Sequence, residues 1–73
     1  MNNKRRKEIS RVVDALTEIS NTLSILAEEE NEAFDNLPES LQESSRGDDM
    51  QEWIDRLEGA QETIDGIIDE LSN

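Results

Sequence analysis

Cysteine, histidine and tyrosine are absent from this 73-residue chain, which has a single proline, a single tryptophan and a single phenylalanine. Without cysteine and histidine there can be no disulfide, no zinc site of the usual kind, no thiol nucleophile and no imidazole base. No apolar run approaches the ~20 residues of a membrane-spanning helix. The basic opening is not followed by the apolar region and small-residue cleavage site of a secretory signal. Lack of cysteine fits a cytoplasmic protein, which is the expected compartment.

Positive charge is also scarce after the first eleven residues. Lys4, Arg5, Arg6, Lys7 and Arg11 open the chain, and only Arg46 and Arg56 follow. Beyond Arg11, 18 acids face 2 bases, a net charge of −16, against −12 for the whole chain. Such a body repels nucleic acid and anionic membranes and attracts basic protein surfaces. At this length the core is thin, and with disulfides and metals excluded, self-association is the remaining way to reinforce it. No cofactor is expected.

What is present in quantity is periodicity. Ile9, Val12, Leu16, Ile19, Leu23 and Leu26 recur in alternating steps of three and four, and Ala33 and Leu37 continue the series past a polar interruption at Glu30. Val13, Ala27 and Phe34 lie beside this seam. The pattern predicts an amphipathic, coiled-coil-like helix over about residues 4–35. Pro38 interrupts it and suits the first turn of a short helix through Gln42, while Ser44 to Gly47 reads as the clearest break. With the elbow at 36–47, a second helix is expected over about 48–71. Asp48 would be its N-cap, with Gln51 completing a capping box.

The seam of this second helix is Met50, Ile54, Leu57, Ile64, Ile68 and Leu71, broadened by Trp53, Ala60 and Ile67. Gly59 and Gly66 lie seven apart and could permit close backbone approach. The expected fold is a single all-α domain: an antiparallel helical hairpin that dimerises into a four-helix bundle. Lys4, Lys7 and Arg11 would then face Asp65, Asp69 and Glu70. Ile9, Val12, Leu16, Ile19, Leu23, Leu26, Ile54, Leu57, Ile64, Ile68 and Leu71 are the expected oligomerisation seam.

Carboxylates are too abundant for any pair to single out a catalytic centre, and Glu28-Glu29-Glu30 with Glu32 reads as a solvated face. Asp48-Asp49 lacks the alternating oxygen ligands and distal glutamate of a calcium loop, so no metal is expected. Trp53 flanks the seam, with core packing as its default role and a partner-binding anchor as the alternative. Nine acids from Asp48 to Glu70 span roughly 33 Å of helix, a charge density comparable with one phosphate per ~3.4 Å along a DNA strand. Most such helices are simply hydrophilic, but mimicry of nucleic acid is one reading.

The stretch Glu28-Glu29-Glu30-Asn31-Glu32-Ala33-Phe34-Asp35-Asn36-Leu37-Pro38-Glu39-Ser40-Leu41-Gln42, with Ser45-Arg46-Gly47 and Ile54-Asp55-x-Leu57-Glu58-x-Ala60, resembles a group of small helical phage and prophage proteins. Its most specific part is Phe34 to Gln42, and with the basic opening the resemblance covers most of the chain. The resemblance implies a phage origin, and with it a non-enzymatic protein that binds and inhibits a host protein such as a defence effector or nuclease. Phe34, Leu37, Leu41, Trp53, Asp55, Glu58 and Glu62 are the candidate contact residues. The alternative is a structural or accessory coiled coil in a phage assembly or replication complex. Direct nucleic-acid binding led by the basic arm has the least support.

Overall fold

The computed structural model describes residues 1–72 and is all-α. Helix α1 spans Asn3–Asp35, α2 is a single turn at Glu39–Gln42, and α3 spans Ser45–Ser72. The two long helices pack against each other as a hairpin 58 Å long and 14 Å across its Cα atoms.

Helix α1 starts where Asn2, in extended conformation, accepts the Arg5 amide at 2.8 Å on its side-chain oxygen, a standard N-cap. It ends at Asn36, before the Leu37-Pro38 step at which a helix cannot easily continue. Its last carbonyls are met partly by backbone, Asn36 N–H donating to Glu32 O and Leu37 N–H to Phe34 O, each at 3.0 Å. The Gln42 side-chain amide adds bonds to Phe34 O and Leu37 O, each at 3.1 Å. The elbow then closes without any left-handed residue among those described.

Helix α3 starts three residues earlier than expected, at Ser45, so Asp48 is a first-turn acid rather than the N-cap. Gly47 lies inside that first turn and is buried. A Cβ there would sit 2.6 Å from the Gln42 carbonyl carbon. The glycine that reads as a break in the sequence is instead what lets α3 start against the backbone of α2. Gly59 and Gly66 behave oppositely: a Cβ at either would meet nothing within 4 Å, so they permit no close approach.

On α1 the intramolecular seam is displaced from the expected one by one residue in alternate positions. On α3 the expected seam holds from Met50 to Ile68, and only Leu71, 39% exposed, falls outside it. The inward residues of α1 are Ile9, Val13, Leu16, Ser20, Leu23, Ala27, Glu30 and Phe34, and those of α3 are Gly47, Met50, Ile54, Leu57, Gln61, Ile64 and Ile68. Val12, Ile19 and Leu26, expected in the seam, are 43–48% exposed. Both registers alternate three and four, and the expected one is richer in large apolar groups. The observed register puts small Ser20 and Ala27 between the helices, where Ile19 and Leu26 would hold them apart. Burying Ser20 without a partner would be costly, and its hydroxyl donates to Asp65 Oδ1 at 2.6 Å. That bond ties the two arms in register.

The resulting core is thin. Among the described apolar residues only Ala27 and Ile54 are buried. Trp53 is 53% exposed, so core packing is not its role within the hairpin. No described helix is long and apolar enough to cross a membrane.

Candidate interaction surface

The displaced seam gives the hairpin two unlike flanks. On each helix, the residue just before alternate inward positions falls on one side, and in an antiparallel pair these two columns share a side. On α1 the column is Val12, Ile19, Leu26 and Ala33; on α3 it is Trp53, Ala60 and Ile67. Members recur every seven residues, about 10.5 Å along the axis. Leu26 and Trp53 line one shallow groove with Glu29, Glu30 and Leu57, which confirms that both columns lie on one side. The neighbouring Ala15 and Thr22 flank Ile19 and extend the surface.

This apolar flank is less acidic than the opposite one. Its charged residues are Arg5, Arg46 and Arg56 against Glu8, Glu18, Glu29, Glu30, Asp49 and Glu70. Arg56 pairs with Glu52, and its guanidinium lies 5.1 Å from the centre of the Trp53 ring. Both contacts are exposed and contribute modestly.

The opposite flank is polar throughout. Between the helices run Ser10, Thr17, Ser24 and Asn31 on α1 and Gln51, Glu58 and Asp65 on α3. Ser24, Glu28, Asn31, Glu58 and Gln61 line its groove. Outside them come Asp14, Glu28 and Asp35 on α1, and the column Asp48, Asp55, Glu62 and Asp69 on α3. This acidic flank has nine carboxylates and one cation, Lys7.

The candidate contact residues are therefore not one site. Asp55, Glu58 and Glu62 are exposed together on the acidic flank, Trp53 lies on the apolar flank, and Leu41 is exposed at the elbow. Phe34 and Leu37 are half-buried at the elbow end of the seam. The ion pairs expected between Lys4, Lys7 or Arg11 and Asp65, Asp69 or Glu70 do not form; among the described residues the one ion pair is Arg56–Glu52. Of the nine acids of α3, Asp48, Asp55, Glu58, Glu62, Asp65 and Asp69 share the acidic flank, about one per 6 Å of helix.

The pairing of Ser20 with Asp65 and the capping by Gln42 were not expected from sequence. Each joins residues whose proximity only the folded chain creates. The weaker acidity of the apolar flank does have a sequence signal: Arg46 falls in the same seven-residue column as Trp53, and Arg56 lies one turn from it.

No protein-family model, curated protein or solved structure matches the chain.

Proposed function

We propose that this chain is a non-catalytic phage protein that acts as a homodimeric helical hairpin, binding a basic surface of a host protein in the host cytoplasm and blocking it. A defence effector or nuclease is the kind of target this chemistry suits. The segregation of charge carries the reading, because nine carboxylates and one cation on one flank make a field of single sign along the hairpin. A surface of that sign speeds encounter with basic partners and discriminates against acidic ones. The acids on α3 are sparser than the phosphate rise along a DNA strand, which favours a general basic protein surface over close mimicry of nucleic acid.

The test is a charge reversal that spares the seam. Asp55→Lys, Glu58→Lys and Glu62→Lys together should leave the helical circular dichroism unchanged while abolishing salt-sensitive capture of a stoichiometric partner from host lysate. Undiminished capture by the triple variant would overturn the acidic flank as the contact face. A second reading, an accessory coiled coil in a phage assembly, is favoured by the exposed apolar flank. Under it the same reversal leaves assembly intact, whereas polar substitutions at Ile19 and Leu26 remove it.

A further inference from the structure

We infer that two copies of this chain pair through their apolar flanks in opposite orientation, so that the basic end of each lies beside the acidic elbow of the other. The inference deepens the homodimer in the proposed function and does not depend on the target.

The choice of flank follows from charge and exposure. Val12, Ile19, Leu26 and Trp53 are each 43–53% exposed and lie on the less acidic side of the hairpin. Copies of a chain of net charge −12 repel one another most strongly through their acidic flanks. Pairing through the apolar flank keeps both acidic flanks outward and meets the least local repulsion. A side 58 Å by 14 Å offers at most on the order of 800 Å² per copy if covered along its whole length, which reaches the area of a standard stable interface. A second copy brings a surface of identical length and register, as an isologous contact requires.

The orientation follows from charge along the axis. Residues 21–59, the elbow half, contain twelve carboxylates and two cations, whereas the remainder contains seven carboxylates and five cations. Elbow-to-elbow pairing would bring the two acidic halves together. Opposite orientation brings the basic end of one copy, with Arg5 on the paired flank, beside the acidic elbow half of the other, with Glu29 and Glu30 on it. The charge order of α1 supports this, because α1 has no acid in its first turn and no base in its last. Cations at its start and acids at its end both oppose the helix dipole. None of those five cations is ion-paired within the described hairpin. Inter-subunit pairing supplies the compensation that the single chain lacks.

The experiment uses the full chain in sedimentation equilibrium at micromolar concentration. The 8.3 kDa chain should sediment as a dimer. Ile19→Asp with Leu26→Asp should give a monomer that is still helical. Thr17→Asp with Asn31→Asp, adding the same charge to the polar flank, should remain dimeric. Should the first pair of substitutions unfold the chain, Ala60→Arg on α3 tests the same flank at an exposed position where arginine is nearly as good a helix former. A monomeric parent chain, or dimers in all these variants, overturns the choice of flank. For orientation, a spin label on Glu43→Cys, in a chain with no other cysteine, should report a separation approaching the 58 Å length of the hairpin. A separation of one helix-pair width, roughly 10–20 Å, overturns it.

Discussion

The elbow and the arms of this hairpin are built on different terms. The arms meet through side chains on a heptad seam, most of them half-buried, with one hydrogen bond to fix register. The elbow is closed by backbone: Gly47 lies against the Gln42 carbonyl, and the Gln42 side chain occupies carbonyls at the end of α1. A side-chain seam degrades by degrees when one residue shrinks, because its neighbours relax. Backbone contact leaves no such slack, so the elbow should tolerate removal of a hydrogen bond better than addition of a single methyl group.

That contrast can be broken or sharpened by four substitutions, read by thermal unfolding at one fixed protein concentration because oligomerisation shifts the midpoint. Ile54→Ala, at the most buried apolar position of the arms, should lower stability by about 3 kcal/mol. Gly47→Ala should lower it by about 2–3 kcal/mol although it improves helix propensity, because the added methyl has no room. A neutral or stabilising outcome would show that the elbow gives way after all. Gln42→Ala should cost about 1 kcal/mol through loss of the α1 cap. Gly59→Ala should have the opposite sign, raising stability by up to about 1 kcal/mol, since its Cβ meets open space. The pair Gly47→Ala and Gly59→Ala is the sharpest comparison: the same chemical change in the same helix, with opposite effect.

Much of this architecture was legible in the sequence. Three-and-four spacing announced two long helices, and Pro38 announced the turn that separates them. What was not legible was the choice, on α1, between two registers that differ by one residue in alternate positions. Local hydrophobicity favours Val12, Ile19 and Leu26, but Ser20 is acceptable inside only because Asp65, 45 residues away, accepts its hydrogen bond. Gly47 misled for a related reason. Glycine is read as a helix breaker from its conformational freedom, whereas here it is needed for what would touch its Cβ. Trp53 flanks the α3 seam as expected, but it lies on the side where α1 presents Ile19 and Leu26, and it stays exposed with them. The grouping of carboxylates into one flank could be seen only after the register was known.

The contacts that join the two arms also have an order along the chain. At the elbow the partners are eight residues apart, as in Gln42 with Phe34, and by Ser20 and Asp65 they are 45 apart. Closing a loop becomes entropically harder with its length, so the least demanding first step is to make the bend and then add turns outward like a zipper. Run backwards, the same gradient makes the two chain ends the first part to open. Amide exchange should be slowest in the turns nearest the bend and fastest towards Asn3 and Ser72. If the basic end docks on a second copy, that fraying end is also the part whose exchange dimerisation should slow most.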